Sequence, residues 1–149
     1  STQQPTLFPY TTLFRSARGA ELSVSLEPHP ALSLFAGAAY TATDPDPIPF
    51  TPRLTFSGGV VATRSILRVA LDAQWVDERY AGNDRFPGTP AYVDAYFLLN
   101  GKLSARLDRL LAGLEAWIAG ENLTGSDYAY RPGYPMPGAS ASLGASLRF

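Results

Sequence analysis

Apolar and polar residues alternate with a period of two along most of this chain, most cleanly at its C-terminal end. There Ala139, Ala141, Leu143, Ala145, Leu147 and Phe149 share one register, and Ser140, Ser142, Gly144, Ser146 and Arg148 the other. Period two places such sets on opposite faces of a β-strand. The same pattern recurs upstream: Ala20, Leu22, Val24 and Leu26 alternate with Glu21, Ser23, Ser25 and Glu27, and Leu32, Leu34, Ala36, Ala38 and Tyr40 share a register. Leu67, Val69, Leu71, Ala73 and Trp75 oppose Arg68, Asp72, Gln74 and Glu78. Val93, Ala95, Phe97, Leu99 and Gly101 oppose Tyr92, Asp94, Tyr96, Asn100 and Lys102. Strands are therefore predicted over about 20–27, 31–43, 53–62, 66–80, 91–103, 110–122 and 139–149. Pro28-His29-Pro30, Thr63-Arg64-Ser65 and Arg106-Leu107-Asp108-Arg109 are predicted as tight turns, and DPDPIPFTP, AGNDRFPGTP and Leu123 to Gly138 as longer loops. Gly58-Gly59 is expected to mark a bend within a strand. The fold class expected is all-β, an antiparallel up-and-down meander of about seven strands.

One segment carries two periods. Leu103, Leu107, Leu110, Leu111, Leu114 and Ile118 recur at helical spacing, with Asn100-Gly101 ahead of them as a possible turn. Leu110, Ala112, Leu114, Ala116 and Ile118 also alternate with Gly113 and Glu115. Alternation on both flanks favours the hairpin.

No stretch approaches the eighteen or so apolar residues of a membrane helix, so a membrane-spanning form would have to be a closed barrel. Long strands with short turns at one end and longer loops at the other suit one. Glu21, Arg68, Asp72, Asp94, Lys102, Glu115 and Arg148 are then expected in the lumen, and Tyr40 and Trp75 in an interfacial aromatic girdle. Phe35, Ile66, Val76, Leu98, Leu111 and Trp117 fall in the polar register, which suits a lumen filled by a folded domain better than one filled by water. A soluble β-meander with an aromatic core is the alternative, as a small β-rich binding protein; a porin is another.

The formal net charge of -1 gives no reason to invoke nucleic acid. There is no Cys, and His29 is the only His, set between two prolines, so neither thiolate chemistry nor a Ser/His/Asp or His-metal constellation has material to build on. Asp44 with Asp46, and Asp77 with Glu78, match no calcium loop, and Gly58-Gly59 lacks the Lys of a phosphate loop. No enzyme, metal or cofactor is expected. Tyr128, Tyr130, Arg131 and Tyr134 are the candidate ligand contacts, because aromatic rings and a guanidinium on a loop can stack on and hydrogen-bond an aromatic or anionic ligand.

The N-terminal end is different in kind. TLFPYTTLFRS, Thr6 to Ser16, resembles the in-frame translation of a short sequencing adapter. Residues 1–16 are therefore expected to be non-native, detached from the sheet or loosely packed on it, with residues 17–149 the natural piece of a longer protein.

The segment ENLTGSDYAYRPGYPMPG, Glu121 to Gly138, followed by a strand ending in Phe149, resembles the C-terminal signature of TonB-dependent outer-membrane receptors. Asn122, Leu123, Thr124, Asp127, Tyr128, Gly133, Tyr134, Pro135, Pro137 and Gly138 carry the resemblance. PRLTFSGGV and LDAQWVDERYAG extend it upstream. The pattern is broken at Ala139 and Ser140, where the family usually has a basic residue and soon an aromatic. The resemblance implies a barrel of twenty-two strands enclosing a plug domain, of which this chain would hold about the last seven. It also implies short turns in the periplasm, long loops outside the cell, and TonB-dependent uptake of a large scarce ligand such as a ferric siderophore, cobalamin, haem or a glycan. The implied partners are outer-membrane lipid, the chain's own plug domain, the TonB complex and the barrel assembly machinery, which would read Leu143, Ala145, Leu147 and Phe149. Lacking plug and TonB box, the chain alone is expected to transport nothing.

Overall fold

The computed structural model describes residues 16–44, 46–82 and 91–149. Among them are β1 (Ser16–His29), β2 (Leu32–Asp44), β3 (Leu54–Arg64), β4 (Leu67–Val76), β5 (Arg79–Tyr80), β6 (Tyr92–Val93), β7 (Tyr96–Arg106), β8 (Leu114–Glu121), β9 (Ala129–Arg131), β10 (Tyr134–Pro135) and β11 (Ser140–Leu147). Seven of these form a single antiparallel meander in the order β1-β2-β3-β4-β7-β8-β11. The remaining four make two short hairpins, β5 with β6 and β9 with β10, at the long-loop end of the sheet.

The two registers read from the sequence stay in step from strand to strand. Leu22 pairs with Ala38, Ala38 with Phe56, Phe56 with Trp75, and Trp75 with Phe97. One residue along, Glu21 pairs with Ala39, Ala39 with Thr55, Thr55 with Val76, and Val76 with Tyr96. A sheet with matched registers has one apolar and one polar face. Much of the apolar face is exposed: Leu22, Val24, Leu26, Val69, Leu71, Leu103, Ile118 and Leu147 all stand open, and Leu143 is 83% exposed. Nothing among the described residues covers it, whereas a soluble meander would bury such a face. On β4 the apolar register runs from Leu67 to Trp75, eight steps of roughly 3.3 Å. At a tilt of about 40° that gives a band ~20 Å tall, close to what a bilayer-spanning strand presents. Tyr40, Phe56, Trp75 and Phe97 lie on this face near the long-loop end, and the Phe56 and Trp75 rings are 5.6 Å apart. Tyr40 and Trp75 thus stand where the sequence placed a girdle.

Space along the polar face is shared between rings and glycines. Phe35 faces Gly59 across the β2–β3 ladder, and a Cβ on Gly59 would lie 2.4 Å from the Phe35 ring. Trp117 does the same to Gly144, at 2.5 Å. A ring laid over a glycine on the neighbouring strand covers the backbone that glycine leaves bare. At Gly58-Gly59 β3 pairs with both neighbours without a register shift, and the missing side chain at Gly59 gives Phe35 its place.

Other expectations are corrected. Residues 107–113 are a turn, so β8 begins at Leu114 rather than near Leu110. Leu110 and Leu111 both donate their N–H groups to the Leu107 carbonyl, at 2.8 and 3.2 Å, so the helical spacing reflects one helix-like turn and no helix. Leu110 is consequently exposed in the turn and outside the strand register. Asn100-Gly101 lies in the middle of β7. Asp94 falls between β6 and β7, clear of the sheet's polar face, because the 66–80 and 91–103 strands each stop short and leave a small hairpin in the loop. The turn after β1 is at Pro30 and Ala31, with His29 closing the strand and its Nδ1 accepting the Ala31 N–H at 3.1 Å. β1 starts four residues before the expected 20, and Ser16, expected to be detached or loosely packed, pairs with Asp44; residues 1–15 and most of AGNDRFPGTP lie outside the described residues. Past β11, the Arg148 N–H donates to the Gly113 carbonyl at 3.0 Å and prolongs the last pairing. Gly113 has φ +76°, and a Cβ there would lie 2.0 Å from the Arg148 oxygen.

Candidate functional site

The long-loop end of the polar face is organised around Asn122, which is 4% exposed. It ends β8 with φ +48°, a left-handed conformation that Asn tolerates better than most residues. Its Nδ2 donates to the carbonyls of Ser126 and Pro137 at 2.8 and 3.3 Å, and its Oδ1 accepts the Ser126 N–H at 3.0 Å. Its own N–H donates to Asn100 Oδ1 at 3.0 Å, and Asn100 Nδ2 donates in turn to Asp72 Oδ2 at 2.8 Å. The Ser126 hydroxyl donates to the Phe97 carbonyl at 2.6 Å, and Thr124 donates to the same carbonyl at 3.3 Å. Asn122, through its backbone N–H and its side-chain amide, thus ties β8 to β7 and to the start and end of the loop before β11. Leu123 turns to the other face and fills the notch left by the paired glycines Gly101 and Gly120. The Asn122-Leu123-Thr124 motif is therefore a structural knot that sets the loop above it.

That loop brings tyrosines together. Tyr96, Tyr128 and Tyr130 form a ring triad, with centroids 5.0 Å apart for Tyr96–Tyr128, 5.7 Å for Tyr128–Tyr130 and 6.3 Å for Tyr96–Tyr130. Tyr128 packs on the small core of Val76, Tyr96 and Leu98. The Arg79 guanidinium lies 5.4 Å over the Tyr96 ring and donates through Nη2 to the Ala129 carbonyl at 2.9 Å. Arg79 is 6% exposed, and among the described residues its Nη1 has no hydrogen-bond partner. Burial, then the neighbouring Tyr130, hold the Tyr128 phenol above its usual pKa of 10.0, so it is a neutral donor at physiological pH. Below the triad opens a cleft of about 510 Å³ over β4, β7 and β8, where Asp72, Asn100, Lys102 and Glu121 supply polar groups beside Tyr128 and Tyr130.

Of the four candidate ligand contacts, the structure joins Tyr128 and Tyr130. Arg131, its guanidinium 5.3 Å over Phe50, lines a second cleft together with Tyr130, Tyr96 and Arg79, and Tyr134 is 72% exposed. Gly133 (φ +79°) makes the turn between β9 and β10, Pro135 lies in β10, and Pro137 with Gly138 leads into β11. Leu143, Ala145 and Leu147 are on the apolar face of β11, and Phe149 stands fully exposed beyond it. The sequence reading missed Tyr96 and Arg79 as members of the cluster. Tyr96 could have been found as a polar-register aromatic at the loop end of its strand, whereas nothing local marks Arg79.

No family model and no curated protein matches the chain. Solved structures do. The ferric-catecholate import receptor Fiu of E. coli K12 aligns in its open and closed crystal forms with TM-scores of 0.77 and 0.79, at 24% and 23% identity over 91% of this chain. P. aeruginosa FpvA, solved with a heterologous pyoverdine and iron, aligns with a TM-score of 0.71 at 15% identity over 88%. The chain spans 21% of Fiu and 19% of FpvA, about a fifth of each receptor. Identity this low speaks for the fold alone: the chain has the fold of a segment of a TonB-dependent receptor barrel.

Proposed function

We propose that residues 17–149 are the C-terminal portion of an outer-membrane receptor of a Gram-negative bacterium that takes up a large scarce ligand with energy from the TonB complex. In this reading the apolar face meets lipid, the polar face lines the lumen around a plug domain, the short turns face the periplasm and the long loops the cell exterior. The observation that carries it is the exposed apolar face, rimmed by Tyr40, Phe56, Trp75 and Phe97, on a sheet whose charged residues lie opposite except for Arg18, Asp44 and Arg64 near the strand ends. Among the ligand classes of the family, ferric siderophores are favoured, since Fiu is a ferric-catecholate receptor and FpvA was solved with pyoverdines. Tyr128, Tyr130 and Arg131, joined by Arg79 and Tyr96, are the contacts we assign to this chain, with Tyr134 at the loop tip; Leu143, Ala145, Leu147 and Phe149 form the assembly signal. Residues 1–15 are assigned no part in it, whereas Ser16 belongs to β1.

The test is the complete gene, expressed in a siderophore-deficient strain. A heat-modifiable outer-membrane protein that restores growth on ferric catecholates or pyoverdines in tonB⁺ but not tonB⁻ cells is the expected result. Insertion without any TonB-dependent uptake of siderophore, cobalamin, haem or glycan would overturn the transport reading, and a soluble product would overturn the barrel.

A further inference from the structure

The second cleft, of about 430 Å³, is lined by Arg79, Arg131, Tyr96, Tyr130 and Phe50, and by no carboxylate among the described residues. Tyr130 also borders the cleft beneath the triad, where Asp72 and Glu121 stand, so one ring separates two clefts of opposite character. Neither guanidinium of the second cleft makes an ion pair among the described residues. Arg79 donates through Nη2 to the Ala129 carbonyl at 2.9 Å, which leaves the buried Nη1 unsatisfied. Asp46, Asp77 and Glu78 line a neighbouring cleft that Arg79 also borders, but Asp46 is paired with Arg53 and the other two reach no cation. The Arg131 guanidinium lies over the Phe50 ring. Phe50 is held there at φ +61°, a conformation unfavourable for a bulky residue, by an N–H donated to the Tyr80 carbonyl at 2.7 Å. Two uncompensated cations among aromatic faces, one of them buried with an unsatisfied N–H, are an arrangement that an anion completes.

We infer that this cleft is a subsite for a metal-bound catecholate, an aromatic ring with anionic oxygens at its edge, and that it selects the ligand by charge against neutral chelates. The inference rests on the receptor reading above and narrows the class of ligand. Each guanidinium offers a planar fork of donors that matches two adjacent oxygens. Arg131 follows Ala129, the residue to which Arg79 is bonded, by two positions on one face of β9, about 7 Å along the strand. An aryl group set between them can meet a guanidinium with its oxygens and lay its face on Tyr96, Tyr130 or Phe50. The volume falls within the roughly 300–1,000 Å³ of small-molecule sites. A free aryl carboxylate brings a single charge to two cations, and inorganic phosphate brings no ring. A tris-hydroxamate chelate of a trivalent metal is neutral and leaves both cations uncompensated, whereas a tris-catecholate chelate of the same metal carries net negative charge. The cleft beneath the triad, with two carboxylates, is the wrong sign for such a group.

The test is calorimetric titration of the whole receptor, purified from outer membranes, with gallium tris-catecholate, a gallium tris-hydroxamate of similar size, benzoate and inorganic phosphate. The catecholate complex should bind about tenfold or more tighter than the hydroxamate, the scale of one charge-assisted hydrogen bond, and should weaken as salt is raised. Arg131→Gln should remove most of that preference while the protein still shifts on heating, and Arg131→Lys, which keeps the charge but not the fork, should recover part of it. Arg79→Gln should act in the same direction but also frees β5 from the Ala129 carbonyl, so the exposed Arg131 carries the test. Equal affinity for the two gallium complexes, an unchanged catecholate affinity in Arg131→Gln, or benzoate or phosphate binding as tightly as the catecholate complex overturns the proposal, the last by making the cleft a site for any lone anion. Failure of the parent reading shows itself separately. Catecholate binding without TonB-dependent uptake refutes transport and keeps the subsite, whereas TonB-dependent uptake of a hydroxamate, cobalamin, haem or glycan without catecholate binding refutes the subsite alone.

Discussion

Asn122 offers the sharpest test of how the loop above the cleft is held. In Asn122→Gly the two short side-chain hydrogen bonds, Nδ2 to the Ser126 carbonyl at 2.8 Å and the Ser126 N–H to Oδ1 at 3.0 Å, are lost. At about 1 kcal/mol each, with some further cost for the buried groups left unpaired, the loss is about 2–3 kcal/mol. Glycine keeps the φ of +48° without strain. Asn122→Ala loses the same bonds and adds about 1 kcal/mol for a Cβ in the left-handed region, so it should cost about 3–4 kcal/mol. Asn122→Asp keeps an acceptor for Ser126 but turns the donor into a second acceptor aimed at the Ser126 and Pro137 carbonyls, at a site 4% exposed, and should be at least as damaging as Ala. Urea unfolding of the heat-modifiable receptor in detergent gives the three values, and limited proteolysis within residues 123–138 shows whether the loop is released first. If Ala and Gly coincide, or both lie within about 1 kcal/mol of wild type, the knot does not hold the loop and the argument fails.

Gly59→Ala should destabilise by about 1–3 kcal/mol in the same assay, and adding Phe35→Leu should restore only part, since the Leu71 carbonyl still stands 2.7 Å from the new Cβ; full rescue would show that Phe35 alone sets the constraint. Ultraviolet titration should find the Tyr128 phenolate forming above the ordinary pKa of 10.0, and Tyr130→Phe should bring it down. Because the folded-state pKa is the raised one, the stability linked to Tyr128 is intact below about pH 10 and lost as pH climbs through the folded value; a Tyr128 that titrates below free tyrosine contradicts the packing of the triad. Gly113→Ala should open the Gly113–Arg148 pairing and lower the amount of assembled barrel, because a Cβ would meet the Arg148 oxygen at 2.0 Å; unchanged assembly would show that this last pairing is dispensable. Deleting Phe149 should reduce insertion into outer membranes more than strand formation in detergent, and equal insertion with and without it would leave Phe149 as a rim aromatic.

The chain's own alternation determined most of this architecture. A period of two names the face of every residue without reference to any neighbour, so the apolar register, the seven-strand meander and the shared polar face of Arg68, Asp72, Lys102 and Glu115 were legible before any pairing was known. Strand ends were not. Alternation continues past Val76 toward Tyr80 and begins before Leu114 at Leu110, and only the positions of neighbouring strands stop the ladder there. The Leu107 to Leu111 turn carried a true helical spacing over too few residues to tell a single turn from a helix. The glycines were ambiguous for a related reason: a missing side chain looks alike in a bend and beneath a neighbour's ring, and the ring of Phe35 comes from another strand. The site was divided in the same way. Tyr128 and Tyr130 were visible because they lie two residues apart in one loop. Tyr96 and Arg79, 32 and 49 residues before Tyr128 in the sequence, join them only through the β4–β7 pairing and the loop that Asn122 ties down, and a contact made by long-range hydrogen bonding leaves no local mark in the chain.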